Sequence, residues 1–223
     1  MIEELLPRGV VAVETREEWL DIELFPQEQA ALGEAVERRR REFTTARACA
    51  RRALAQLGLP PTPIATGGRG EPLWPAGVVG SITHCTGYRA CALAHATEHA
   101  GVGIDAEPNE PLPEGVLREI ARAQERPMLA ELARAEPTVH WDRLLFSAKE
   151  AVYKVWFPIA QRWLGFEDAA LAIDPAERTF QARLLKPWTE VSAHFPSVLE
   201  GRWLAREGLV MTAIALPHMR QFG

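Results

Sequence analysis

Cysteine is scarce in this 223-residue chain: Cys49, Cys85 and Cys91 are the only three, with no CxxC pair among them. An odd number without pairing motifs excludes a disulfide framework and fits reduced thiols that act as small hydrophobes. Long apolar runs are lacking too. No stretch approaches the roughly 18 residues of a spanning helix, and no charged-then-apolar segment opens the chain. The expectation is a soluble, cytoplasmic protein without membrane contact. There is no excess of positive charge: 25 Lys and Arg stand against 30 Asp and Glu, for a net charge of −5. A broad phosphate-binding surface for nucleic acid is therefore disfavoured. The histidines show no metal-ligand spacing, and His95, His99, His140, His194 and His218 are assigned no chemistry.

What is present is unevenly placed. Seven arginines between Arg38 and Arg52 stand against one acid, Glu42, so the local balance is 7 − 1 = +6. Arg38 to Arg41 read as a solvated helix face, whereas Arg47 and Arg51, one turn apart, suit an anion site. The composition, 47% hydrophobic and 25% charged, is that of a globular protein long enough for one large domain or two packed halves.

Val10 to Val13 read as a strand. Residues 28–57 read as a helix ended by Gly58, Pro60 and Pro61, and a glycine- and proline-rich loop follows to Gly77. Val78 to His84 and Tyr88 to His95 form a hairpin bent at Thr86-Gly87, and Gly101 to Glu107 form a further strand stopped by Pro108. The second half begins with a helix over 117–134, broken at Pro127. A longer helix follows over 139–157, where Trp141, Leu144, Leu145, Ala148, Val152, Val155 and Trp156 recur at helical spacing. Segments 169–173, 179–185, 202–206 and 209–216 read as strands. Each half thus pairs helical segments with an antiparallel meander. This predicts an α+β fold of two similar lobes, each a small antiparallel sheet packed on a long helix, divided as 1–108 and 109–223 with a ligand cleft between.

Three groups of residues could carry chemistry. In Gly103-Ile104-Asp105-Ala106-Glu107 the strand period puts Val102, Ile104 and Ala106 inward, and Asp105 and Glu107 on the face towards solvent or a cation. In Phe146-Ser147-Ala148-Lys149-Glu150-Ala151-Val152-Tyr153-Lys154, Glu150 and Lys154 share a helix flank with Ser147, and Lys149 lies beside it. If that flank faces Asp105 and Glu107, three carboxylates meet, a cluster that a divalent ion would neutralise. In Ser81-Ile82-Thr83-His84, a hydroxyl and an imidazole stand at a hairpin end where a phosphate can sit. Taken singly, these groups also read as surface acids, a helix ion pair and a structural histidine.

In this order and separation the motifs resemble those of the 4′-phosphopantetheinyl transferases of the larger, single-chain, pseudo-dimeric type, most of all the actinobacterial ones. Phe43-Thr44-Thr45-Ala46-Arg47 and Gly70-Glu71-Pro72-Leu73-Trp74 fit the same pattern, so the likeness spans about residues 43–168. The resemblance implies two α/β lobes related by pseudo-two-fold symmetry, with coenzyme A between them. It implies transfer of the phosphopantetheine arm to a serine of an acyl or peptidyl carrier protein, releasing adenosine 3′,5′-bisphosphate. Carried over by position, Asp105, Glu107 and Glu150 would hold Mg²⁺ (or Mn²⁺), with Glu150 also the base. Lys154 and Lys149 would contact the diphosphate. His84, Arg47, Arg51 and Arg69 would bind the 3′-phosphate and adenine end, and Thr83, where the family commonly has serine, keeps a hydroxyl for a phosphate contact. The protein is expected to act as a monomer. Two other readings share these residues: a non-catalytic module that binds coenzyme A or a carrier protein, and a Mg²⁺-dependent nucleotide-diphosphate hydrolase.

Overall fold

A computed structural model describes residues 1–185 and 196–218; His194 lies outside them. The first half contains β1 (Val10–Thr15), α1 (Pro26–Leu32), α2 (Glu37–Gln56), β2 (Ala65–Thr66), β3 (Pro72–Leu73), β4 (Val78–Cys85) and β5 (Tyr88–His95). The antiparallel order β1-β5-β4 makes one sheet. Helix α2 covers it by packing Cys49, Ala50, Ala53 and Leu54 against Val13, Cys91 and Leu93. The second half contains β6 (His99–Pro108), α3 (Val116–Ile120), α4 (Glu125–Ala135), α5 (Trp141–Ala160), β7 (Ala169–Asp174), β8 (Thr179–Leu184), β9 (Val198–Arg206) and β10 (Leu209–Pro217). Its sheet runs β6-β10-β9-β8-β7. The expected mixed architecture of two sheet-bearing lobes is what forms, each lobe led by a 20-residue helix. Among the described residues no helix is long and apolar enough to cross a membrane.

Three helix expectations need correction. Residues 28–57 are not one helix: the backbone turns at Gly33 (φ 49°) and restarts at Glu37, an angle that glycine adopts without a Cβ clash. The break in the next helical segment falls at 121–124 rather than at Pro127. Pro127 sits in the first turn of α4, where its missing N–H has no intrahelical acceptor to lose. Helix α5 continues past Pro158 and ends at Gln161 in the left-handed region (φ 52°).

The strand Gly101 to Glu107 also differs from its reading. A boundary at 108 leaves it in the first lobe, yet its ladder runs to β10, with Asp105 opposite Thr212. Both its faces are covered. Val102, Ile104 and Ala106 join Ala90, Ala92 and Ala94 of β5 and Met211 of β10 in an apolar cluster shared by the two lobes. The other face, expected to look at solvent, lies under α5. A Cβ on Gly103 would stand 2.2 Å from the Ala151 carbonyl oxygen, so the helix comes this close only because that position is glycine.

The two sheets meet along β4 and β6, where β4 hydroxyls replace a backbone ladder. Ser81 Oγ accepts from the Ile104 N–H at 3.2 Å. Thr83 Oγ1 accepts from the Ala106 N–H at 3.1 Å and donates to Asp105 Oδ1 at 3.2 Å. Thr83→Val removes the acceptor and leaves a buried N–H unpaired. It should cost about 1–3 kcal/mol in chemical denaturation, with Thr83→Ser closer to wild type. Equal stability of all three proteins would show that the hydroxyl bridge does not join the lobes.

Candidate active site

A cleft of about 240 Å³ opens between the lobes. Its first wall is one face of α2, where Arg39, Phe43 and Arg47 recur every four residues. The Arg47 guanidinium lies 4.1 Å from the centre of the Phe43 ring. Arg47 Nε donates to the Ile64 carbonyl at 3.1 Å and Nη2 to Thr66 Oγ1 at 3.2 Å. Burial lowers the Arg47 pKa to about 10, against the opposing pull of Glu28, and the group remains cationic near neutrality.

The loop between β2 and β3 brings exposed Arg69 to the mouth, 5.9 Å from the ring centres of both Phe157 and Trp163. His84, at the end of β4, lies 3.3 Å from Arg39 through Nε2. A guanidinium can only donate, so this contact suits the tautomer with Nε2 as acceptor. The ring reaches solvent, yet protein crowding around it and then the charge of Arg39 hold its pKa below the usual histidine value.

The opposite wall is α5, whose Glu150, Tyr153, Lys154 and Phe157 follow helical spacing along the cleft. Lys154 Nζ bridges to β6, 2.7 Å from Asp105 Oδ1 and 3.1 Å from the Ile104 carbonyl. The second oxygen, Asp105 Oδ2, is buried and has no hydrogen-bond partner. Glu107 pairs with Arg143 at 3.1 Å. Burial, and then the charge of Asp105, nevertheless push its pKa up to about 7. Burial also raises Glu150: Lys154 opposes the shift and Asp105 adds to it.

Helix α5 thus sets Glu150 and Lys154 in the cleft, with Lys154 paired to Asp105 of β6, and Arg39, Arg47, Arg69 and His84 also line it. Four of the residues singled out from the sequence stand elsewhere. Lys149 is buried and donates towards four oxygens: Glu125 Oε2 and the Ile120, Phe166 and Ala169 carbonyls, at 2.8–3.2 Å. One residue along a helix is a rotation of about 100°, so the neighbour of Glu150 points away from the cleft. Arg51 is spent on the Glu28 carboxylate and the Glu23 carbonyl. Thr83 turns its hydroxyl to β6, and Ser147 bonds Thr212 at 2.9 Å instead of facing the cleft.

Arg39, Tyr153, Arg143 and Glu28 were not singled out from the sequence. For Arg39 a signal existed, since it lies two turns before Arg47 on one helix face. The neighbouring arginines do pair locally, Arg38 with Glu42 and Arg41 with Glu37 and Glu18.

Among the described residues no three His, Cys, Asp or Glu side chains converge into a complete metal cage. The donor chemistry nonetheless suits a hard divalent cation. Asp105 offers an unpaired buried oxygen, and both neighbouring carboxyls carry raised pKa values that a cation would relieve.

The profile described as the 4′-phosphopantetheinyl transferase N-terminal domain matches residues 27–94, and that of the 4′-phosphopantetheinyl transferase superfamily matches residues 101–212. The chain is 55% identical over 193 residues to 4′-phosphopantetheinyl transferase Svp of Streptomyces mobaraensis, covering 86% of this chain and 78% of that one. It is 47% identical over 223 residues to the Npt transferase of Nocardia iowensis, covering 96% and 99%. It is also 47% identical over 197 residues to PptT of Mycobacterium tuberculosis, covering 86% of each. The chain belongs to the 4′-phosphopantetheinyl transferase superfamily. The superfamily match contains the β6 acids and the α5 flank, and the N-terminal match contains Arg39, Arg47 and His84. The cleft of this superfamily member therefore draws on both matched segments.

Because the folded pKa of Glu107 exceeds its ordinary 4.5, the fold favours its neutral form. The associated stability is complete below about pH 4.5 and is lost as pH rises through about 7. The ion-free wild type should lose thermal stability across that window relative to Glu107→Gln. At about pH 8, Mg²⁺ should raise the melting temperature of the wild type and do so less for Asp105→Asn. Parallel profiles for wild type and Glu107→Gln, with no response to Mg²⁺, would refute the coupling.

Proposed function

We propose that this protein transfers the 4′-phosphopantetheine arm of coenzyme A to a serine of an apo acyl or peptidyl carrier protein, with Mg²⁺ or Mn²⁺ as cofactor. One observation carries this reading: a single cleft is lined by Glu150 and Lys154, the latter paired with Asp105 of β6, and by Arg39, Arg47 and Arg69. A diphosphate with a separate phosphate monoester suits that set of charges. Planar guanidinium forks suit the monoester, because they can bind its oxygens in pairs.

In the reaction, the serine Oγ forms a bond to the phosphorus that bears the pantetheine arm. The bond from that phosphorus to the bridging oxygen breaks, and adenosine 3′,5′-bisphosphate leaves. Glu150 accepts the serine proton, and its raised pKa makes its carboxylate a stronger base than an exposed one. Lys154 stands where negative charge grows on the diphosphate oxygens. Asp105, Glu107 and Glu150 are the residues that would hold the divalent cation, which supplies charge neutralisation at the phosphate oxygens. Relative to the roles implied by resemblance, Lys149, Arg51 and Thr83 are left out of substrate contact, and Arg39 is added. Cys49 and Cys91 are buried free thiols, in keeping with a monomer working in a reducing cytoplasm.

Purified protein supplied with coenzyme A, Mg²⁺ and an apo carrier should add one phosphopantetheine arm, seen by intact mass. Glu150→Gln should lower kcat by about 10²–10⁴. Arg47→Ala should chiefly raise the KM for coenzyme A, about tenfold or more. Coenzyme A binding without modification of any carrier would favour a binding module. Adenosine bisphosphate release without a carrier would favour a hydrolase. Either outcome overturns the proposal.

A further inference from the structure

Each lobe holds one buried glutamate that the proposed reaction does not use, and the two are wired alike. Glu28 is 0% exposed and Glu125 is 2% exposed. Each accepts the backbone N–H three residues before it, Phe25 at 2.9 Å and Arg122 at 2.7 Å. With its other oxygen each accepts an N–H from the segment that follows the long helix of its lobe, Ile64 at 3.1 Å and Leu171 at 2.7 Å. Each also pairs with a cation on that helix, Arg51 of α2 at 2.5 Å and Lys149 of α5 at 2.8 Å.

In both lobes the arrangement ends beside a cleft residue. Arg47, one turn before Arg51, donates to the carbonyl of the same Ile64 whose N–H Glu28 accepts. The Ile64 backbone is therefore held at both its N–H and its carbonyl, and Arg47 Nε stays 3.9 Å from Glu28 Oε1. In the second lobe Glu150 directly follows Lys149. A one-residue slip of α5 about its axis would swing Glu150 through about 100°, and the Lys149 contacts oppose that rotation. Buried ion pairs add little net stability, because desolvation offsets the attraction. Holding a helix in one rotation is a use for such a pair that does not require it to stabilise the fold.

We propose that Glu28 and Glu125 are positioning residues for the two ends of the cleft. Glu28 holds Arg47 for the anionic substrate, and Glu125, through Lys149, holds Glu150 over the reacting end. This rests on the phosphopantetheinyl transfer proposed above.

The test separates binding from turnover. Calorimetry with coenzyme A and steady-state kinetics with an apo carrier are run on wild type, Glu28→Gln, Glu28→Asp, Glu125→Gln/Lys149→Gln and Glu125→Asp. Glu28→Gln should weaken coenzyme A binding about tenfold and leave kcat at saturation within about twofold. The Glu125→Gln/Lys149→Gln pair should lower kcat about tenfold or more with little change in coenzyme A affinity, and Glu125→Asp should recover part of the loss. Variants that melt earlier but keep wild-type affinity and kcat per folded molecule would overturn the proposal. So would failure of both the Gln and the Asp variant at either position to fold, which marks that glutamate as purely structural. A wild type that binds coenzyme A but modifies no carrier sinks the transferase reading instead.

Discussion

The crossing of α5 over β6 is the contact on which the reacting end of the cleft depends. Gly103 lets the Ala151 backbone lie where any side chain would collide. That approach sets Lys154 2.7 Å from Asp105, and it brings the charge of Asp105 near enough to help raise the pKa of Glu150. The outer face of the helix plays no part in this. Its apolar stripe, from Trp141 to Trp156, anchors it to the second-lobe core and leaves only the cleft flank for chemistry.

The cleft brings arginines of α2 together with Glu150 and Lys154 of α5, and buried acids stand behind both walls. Arg47 has lost most of its water and retains its charge beside Glu28, Phe43 and the Ile64 carbonyl. Asp105 is just as buried and has one oxygen still without a partner. A protein that withdraws such groups from water must supply hydrogen bonds or leave the charge to a ligand. On the arginine side the supply is nearly complete, and on the carboxylate side it is not. That asymmetry leaves Asp105 Oδ2 as the unpaired buried atom.

Much of this was legible in the chain. The i,i+4 spacing of Glu150 and Lys154, the apolar period of α5, the Thr86-Gly87 bend and the strand alternation around Asp105 are local patterns, and local geometry honours them. The residues placed away from the cleft share one cause. Lys149 lies next to Glu150 in sequence but answers to Glu125, 24 residues away. Arg51 has Glu28 within reach, and Thr83 has β6. Arg39 was hidden in a run of arginines that otherwise bond local acids and carbonyls.

The sequence by itself determined which residue types share a helix face or a strand face, because those periods belong to the backbone. It also determined that the motifs, in their order, are those of a family. Only the tertiary structure decided which of Lys149 and Lys154 reaches the cleft and which is locked beneath it. Only there is it visible that the acidic strand pairs with the second lobe and hides both its faces. The reason is physical: a side chain's partner is chosen by which segments pack together, and packing brings together residues far apart in the chain.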